Sequence, residues 1–277
     1  MQMKCAWEAF LSVVPARLRK EVDRLGKEHL EELRLRLGQP VELRICGKST
    51  ILSVITTTED LHYTVNTASR YSPWSAATSS QGYLTAAGGH RIGICGECVV
   101  QGGQVTGIRS VRSLCIRVAR SFTGIGKGAP MQHSLLILGP PGAGKTTLLR
   151  DIIRTRSDSG TAVSVVDERG ELFPPGDIFE PGKRTDILTG CSKIQGIEMA
   201  LRTMGPGCIA VDEITAEQDC KALLQAAWCG VDLLATAHAA DCEDLRRRRV
   251  YTPLAESGLF TQALVLRRDK SWRMERM

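Results

Sequence analysis

The 277-residue sequence contains no long hydrophobic run and few aromatic residues, and each shortage excludes a class of function. No stretch approaches the roughly eighteen consecutive apolar residues that a membrane-spanning helix requires. The first residues lack an apolar segment followed by a small-residue cleavage site, so we expect a cytoplasmic chain without an integral membrane segment. Aromatic residues make up 5% of the sequence, so few side chains are available to stack on the bases of single-stranded nucleic acid.

The sequence also lacks the dense cysteine framework of a small secreted domain, although it contains ten cysteines. They are scattered along the chain, and most lie in apolar runs. Cys95 and Cys98 have the spacing of metal ligands, but no second such pair and no histidine pair follows them. We therefore interpret both as ordinary strand cysteines.

Hydrophobic patterning divides the chain into two domains. Residues 1–120 combine a helical period with alternating apolar and polar residues, which predicts a smaller α+β domain. Residues 121–132 are rich in glycine and are the expected linker. Residues 133–277 alternate between short apolar strands and helical patterns, which is typical of an α/β domain with a parallel sheet.

The same patterns predict individual elements. In the first domain we expect a helix over 7–25, strands over 32–37 and 41–45, a helix from Thr58 towards Tyr71, and a β-meander over 82–119. In the second domain we expect strands over 135–138, 162–166, 208–212, 231–236 and 263–266, and helices over 144–156, 196–204, 216–229 and 243–251.

Residues 139–146 fit the phosphate-binding motif G-x-x-x-x-G-K-[ST] without departure. An apolar strand precedes the motif and a helical pattern follows it, as the motif requires. Lys145 is placed to reach the β- and γ-phosphates, and the Thr146 hydroxyl to bind magnesium. We therefore predict that ATP and Mg²⁺ bind to this loop, whose residues are Gly139, Pro140, Pro141, Gly142, Ala143, Gly144, Lys145, Thr146 and Thr147.

Three further strand ends carry polar residues that belong to the same predicted site. Asp212 and Glu213 end one strand, where Asp212 can hold magnesium and Glu213 can orient or deprotonate the attacking water. Glu168 follows a second strand, and parallel strands end at the same edge of a sheet. His238 follows a third strand and is expected either to sense the γ-phosphate or to bond the carboxylates.

The order of these motifs resembles that of the secretion ATPases of type II and type IV systems, which carry Walker A, an acidic box, Walker B and a histidine box. More narrowly, the segments GGHRIGICGE (88–97), RTDIL (184–188) and VDEIT to EDLRRR (211–248) resemble the stage III sporulation protein AA family. Secretion ATPases usually carry Gly-Glu where this chain has Asp212-Glu213. Glu213 and Glu168 thus both stay candidates for the hydrolytic carboxylate, and we favour Glu213.

The resemblance implies a RecA-like P-loop NTPase domain in a hexameric ring. It implies an ATPase on the mother-cell side, recruited to the membrane by sporulation channel proteins that link mother cell and forespore. It also implies that arginines of the first domain complete the nucleotide site. Residues 85–130 contain five arginines and one lysine against one acid. The candidates are Arg91, Arg109, Arg112 and Arg117, which the sequence does not rank, and we take Arg91 and Arg112 as catalytic.

Two other functions are compatible with the sequence. A RecA-like ATPase or loader would use the basic first half on nucleic acid, and its turnover would rise with DNA and fall steeply with salt. A nucleotide switch would bind ATP and barely hydrolyse it. We rank nucleic acid below a protein partner because aromatic residues are few.

Overall fold

The computed structural model describes residues 1–70 and 82–277, which form two compact units. The amino-terminal unit comprises Met3–Ser121 together with Pro174–Phe179. The carboxyl-terminal unit comprises Met1–Gln2, Phe122–Phe173 and Glu180–Met277. Within the described part of the chain, no helix has the length and apolarity needed to cross a membrane.

The amino-terminal unit is a six-stranded antiparallel sheet with helices packed on it. The sheet order is β4-β3-β2-β7-β6-β5. Leucine, isoleucine and valine side chains at alternate strand positions form one buried core with the helices. The elements that lie wholly in this unit are α1 (Trp7–Val13), α2 (Ala16–His29), β2 (Leu30–Arg36), β3 (Pro40–Ile45), β4 (Lys48–Ile55), α3 (Thr58–Arg70), β5 (Tyr83–Thr85), β6 (Arg91–Gln101) and β7 (Gln104–Arg117). Two short strands, β1 (Gln2–Lys4) and β8 (Ser121–Thr123), each include residues of both units.

The single helix over 7–25 is wrong, because Pro15 separates α1 from α2. The residue before a proline is pushed out of helical conformation, and Val14 is extended. Tyr71, towards which a helix was expected, lies outside the described residues. Cys95 and Cys98 are both exposed on β6, and the pairing of β6 with β7 is irregular between Cys95 and Glu97.

The carboxyl-terminal unit is a seven-stranded sheet with helices packed against it, which confirms the α/β class. The sheet order is β11-β10-β12-β13-β9-β14-β15, and every pairing except that of β14 with β15 is parallel. The elements are β9 (Leu135–Leu138), α4 (Lys145–Asp158), β10 (Val163–Asp167), β11 (Thr185–Thr189), α5 (Lys193–Thr203), β12 (Cys208–Ile214), α6 (Glu217–Trp228), β13 (Asp232–Ala237), α7 (Cys242–Arg247), α8 (Thr252–Ser257), β14 (Gln262–Leu266) and β15 (Trp272–Arg276).

The five strands predicted in this unit are confirmed within a residue or two at most ends. The helix expected over 243–251 is wrong, since α7 ends at Arg247 and a 3₁₀ turn follows at Arg249–Tyr251. The carboxyl ends of β9, β10, β12 and β13 lie at one edge of the sheet, and this edge carries the candidate site.

Candidate functional site

The phosphate-binding motif forms the turn between β9 and α4. Gly139 passes so close to β14 that a Cβ atom there would lie 2.6 Å from the carbonyl oxygen of Leu266. Gly144 is the N-cap of α4 with a φ of 101°, a conformation that side chains with a Cβ rarely adopt. These two glycines let the loop wrap closely around the amino terminus of α4, where backbone N–H groups attract anions.

Lys145 lies across this loop. Its ammonium donates to the carbonyl oxygens of Gly139 (2.9 Å) and Pro140 (3.2 Å) and to Nδ1 of His238 (2.9 Å). Burial lowers the pKa of Lys145, and the nearby carboxylates of Asp212 and Glu213 oppose that change. The lysine therefore lies beside the loop, the histidine and the acidic strand end that the sequence predicts as one site.

The two predicted magnesium ligands are in direct contact. The Thr146 hydroxyl donates to Oδ2 of Asp212 at 2.6 Å, while the hydroxyl of Thr236 donates to Oδ1 at 2.6 Å. A hydroxyl and a carboxylate are the hard oxygen ligands that Mg²⁺ prefers, and the pair fits such an ion. Within residues 1–70 and 82–277, no group of three or more His, Cys, Asp or Glu side chains is arranged to hold a metal.

Glu213 has an unusual backbone conformation for a strand residue. Its φ is +51°, and the register between β12 and β13 shifts between Val211 and Ile214. The Glu213 N–H donates to the Thr236 hydroxyl at 2.8 Å, so one buried threonine contacts both acidic residues of the strand end. The bulge turns the Glu213 side chain towards His238 and Arg169.

His238 joins Lys145 to Glu213. Because an ammonium only donates, Nδ1 of His238 must accept from Lys145, and this assigns the hydrogen to Nε2. Nε2–H then donates to Oε1 of Glu213 at 2.8 Å. This hydrogen bond is the contact with a carboxylate that is one of the two roles expected for His238.

The acidic box after β10 divides into a structural and an exposed carboxylate. Asp167 is buried and accepts the backbone N–H groups of Glu171, Leu172 and Phe173, each at 2.9 Å. Burial raises the pKa of Asp167 even though these N–H groups favour its charged form. Asp167 therefore holds the loop in shape.

Glu168, by contrast, is 40% exposed and pairs with the ammonium of Lys193 at 2.7 Å. One narrow pocket brings it together with Asp212 and Glu213. Its lining residues are Asp167, Glu168, Arg169, Glu171, Lys193, Asp212 and Glu213. Both candidates for the hydrolytic carboxylate therefore line the same pocket.

The predicted arginines belong to the amino-terminal unit. Arg91 lies over the ring of Tyr83, with its guanidinium carbon 3.9 Å from the ring centre. Arg112 is exposed on β7.

Sequence reasoning missed three polar residues of the site. Thr236 forms hydrogen bonds with both Asp212 and Glu213. Lys193 donates to the carboxylate of Glu168. Lys270 donates to the carbonyl oxygens of Gly142 (2.8 Å) and Ala143 (3.1 Å) in the phosphate loop. Lys193 and Lys270 are distant in sequence from the motifs that they contact. A polar residue at the end of a predicted parallel strand was the one available signal, and it applies to Thr236 alone.

Comparison with known proteins supports the resemblance. The family model of sporulation stage III protein AA matches residues 6–274. Stage III sporulation protein AA of Bacillus subtilis (strain 168) is 35% identical over 280 residues, covering 93% of this chain and 90% of that protein.

Two solved structures, of an ATPase and of a pilus retraction motor, share the fold. The ATPase DotB of Legionella pneumophila matches with a TM-score of 0.59 at 16% identity, over 95% of this chain and 80% of DotB. The pilus retraction motor PilT, solved with bound ADP, matches with a TM-score of 0.62 at 18% identity, over 90% of this chain and 76% of PilT. The chain therefore shares its fold with DotB and PilT. It belongs to the sporulation stage III protein AA family.

Proposed function

We propose that the protein is a magnesium-dependent ATPase with a RecA-like nucleotide domain, acting as a ring-forming motor. It would form a hexamer, be recruited from the cytoplasm to the membrane, and act with channel proteins between mother cell and forespore during sporulation. The observation that carries the proposal is the continuous set of contacts from the phosphate loop through Lys145 and His238 to Glu213. The B. subtilis relative supports the sporulation setting, and DotB and PilT support the motor class.

These contacts support the following reaction. ATP would enter with its phosphates against the loop and the amino terminus of α4, and Lys145 would exchange its contact with His238 for the terminal phosphates. Thr146 and Asp212 would hold Mg²⁺, which supplies charge neutralisation at the phosphates. Glu213 would accept the proton of the attacking water, while the Nε2–H of His238 holds the carboxylate in place.

The arginine distribution in the amino-terminal unit weighs against nucleic acid as the partner. Five arginines of this unit form ion pairs with glutamates. The pairs are Arg34 and Arg117 with Glu32, Arg36 with Glu42, Arg44 with Glu31, and Arg109 with Glu97. Phosphate backbones are bound by uncompensated positive charge, and these pairs compensate much of it. ATP hydrolysis that is stimulated by DNA and falls steeply with salt would instead favour a RecA-like ATPase or loader that acts on nucleic acid.

The proposal is tested by nucleotide binding and hydrolysis in Lys145→Ala. We expect the variant to lose ATP binding and turnover while its thermal unfolding stays close to wild type, because the apolar strands around the loop are untouched. Lys183→Ala removes an exposed lysine and is the matched control. Unchanged ATP affinity in Lys145→Ala would overturn the assignment of the loop to phosphate binding. A wild-type protein that binds Mg-ATP but does not hydrolyse it would favour the alternative of a nucleotide switch.

A further inference from the structure

Lys193 occupies a position that is electrostatically costly. It is the first residue of α5, after the N-cap Ser192, and its side chain is 7% exposed. Burying an ammonium costs solvation energy, and the positive end of the helix dipole repels it further. A lysine here therefore needs carboxylates close by, and the structure provides two.

These two carboxylates belong to different parts of the site. Glu168, in the acidic box, lies 2.7 Å from the Lys193 ammonium, and Asp219, on α6, lies 3.8 Å from it. Asp219 also accepts hydrogen bonds from the backbone N–H groups of Thr215 (2.9 Å) and Ala216 (3.2 Å). Those residues form the turn that directly follows Glu213 and Ile214. One buried ammonium thus connects Glu168 with the turn that follows Glu213.

The two candidate carboxylates consequently differ in their partners. Glu213 is bonded to His238 and approached by Arg169 at 3.4 Å, at the end of a strained strand. Glu168 is fixed by a lysine that is itself almost enclosed. An ion pair with a buried partner keeps a carboxylate oriented more firmly than an exposed pair does.

We propose that Lys193 is a positioning residue for ATP hydrolysis, which holds Glu168 against the pocket so that Glu168 orients the attacking water while Glu213 accepts its proton. This inference rests on the proposed ATPase function. It assigns Lys193 no contact with the nucleotide. Its loss should therefore slow the chemical step and leave ATP binding nearly intact.

The test compares Lys193→Met, Lys193→Arg and Lys221→Met in single-turnover hydrolysis at saturating Mg-ATP, with Mg-ATP affinity measured separately. Lys221 pairs with Glu217 on the exposed face of α6 and is the matched control. We expect Lys193→Met to slow the step by about tenfold to 100-fold with affinity changed by less than about threefold. We expect Lys193→Arg to recover much of the rate and Lys221→Met to match wild type.

A double-mutant cycle with Glu168→Gln tests the mechanism. If Lys193 acts through Glu168, the second substitution should cost far less in the Lys193→Met background than in wild type. Equal rates for Lys193→Met and Lys221→Met, equal losses of rate and affinity, or additive effects would overturn the inference.

Two further outcomes are separable from these. If Lys193→Met does not fold, Glu168→Gln breaks the same pair from its exposed side, and a wild-type rate in that variant would also overturn the inference. A wild-type protein that hydrolyses no Mg-ATP would refute the proposed function instead.

Discussion

Glu213 combines a strained backbone with a position at the centre of the site. A non-glycine residue at positive φ costs on the order of 1–3 kcal/mol and persists where the surrounding contacts fix it. Here the fixing contacts are the hydrogen bond from its N–H to Thr236 and the contact of its carboxylate with His238. Such strain is found at functional sites more than elsewhere, and it supports Glu213 over Glu168 as the proton acceptor.

The roles of Glu213 and Glu168 should be distinguished by the rates of their variants in single-turnover hydrolysis at saturating Mg-ATP. Loss of a catalytic base typically costs roughly 100- to 10,000-fold in rate, or on the order of 3–5 kcal/mol of barrier. We expect a loss of that size for Glu213→Gln and a smaller one for Glu168→Gln, which positions the water. If Glu168→Gln is inactive and Glu213→Gln only slow, the hydrolytic role belongs to the acidic box.

Asp212 accepts hydrogen bonds from the hydroxyls of Thr146 and Thr236, whereas Glu213 accepts one from His238. We therefore predict a different effect when Asp212 is replaced. Asp212→Asn keeps the shape of the side chain and removes the charge that attracts Mg²⁺. We expect Mg-ATP affinity to fall by about tenfold or more, while ATP affinity measured in chelator changes little. Equal losses with and without magnesium would show that Asp212 acts on the loop and not on the metal.

At the scale of elements, the strands that could be predicted are those with a regular pattern of burial. Strands β9, β10, β12, β13 and β14 are almost wholly buried and appear in the sequence as short apolar runs. Strands β4 and β11 are mostly exposed edge strands, and neither was predicted. Only Leu52 and Val54 of β4 are half-buried at alternate positions, which is too short a pattern to indicate a strand.

The candidate site divides in the same way. The phosphate loop and the acidic residues at strand ends could be predicted, because a local sequence motif or the end of a predicted strand indicates each of them. The contacts of Lys193 and Lys270 could not, since each joins segments far apart in the chain that only the fold brings together. The bulge that turns Glu213 leaves no sequence signal either, because a glutamate after a strand is compatible with an ordinary turn.

His90 connects two elements of the amino-terminal unit and makes its stability depend on pH. The Ala119 N–H donates to Nδ1 at 3.0 Å, so Nε2 carries the hydrogen and donates to the Ala6 carbonyl at 2.9 Å. Burial lowers the pKa of His90, and the charge of Arg120 lowers it further. Folding therefore favours the neutral ring, and this stabilisation is complete above the unfolded pKa of about 6.5 and is lost as the pH falls through the lower folded value.

We expect hydrogen exchange in α1 and β6 to accelerate between pH 7.5 and pH 5.5, after correction for intrinsic exchange rates. His90→Gln keeps one donor and one acceptor but does not titrate, so its acceleration should be smaller. An identical pH response in both proteins would show that other groups control the stability of this unit.

At the scale of the whole molecule, the proposed ring requires residues of one subunit to complete the site of another. Arg91 and Arg112, in the amino-terminal unit, are the candidates, and an arginine that enters a neighbouring phosphate site acts on the transition state more than on binding. ATP should therefore favour a larger assembly, observable by sedimentation. Arg91→Ala with Arg112→Ala should reduce turnover by about tenfold or more and ATP affinity far less.

Arg44→Ala is the matched control for the double variant, since Arg44 is an exposed arginine of the same unit paired with Glu31. A surface pair of this kind contributes little to stability, so the control should assemble and turn over like wild type. A protein that sediments as a monomer at every nucleotide and protein concentration would contradict the ring. A double variant that loses affinity and turnover equally would place the two arginines in nucleotide binding within one subunit, since an arginine supplied by a neighbour is needed only for the hydrolytic step.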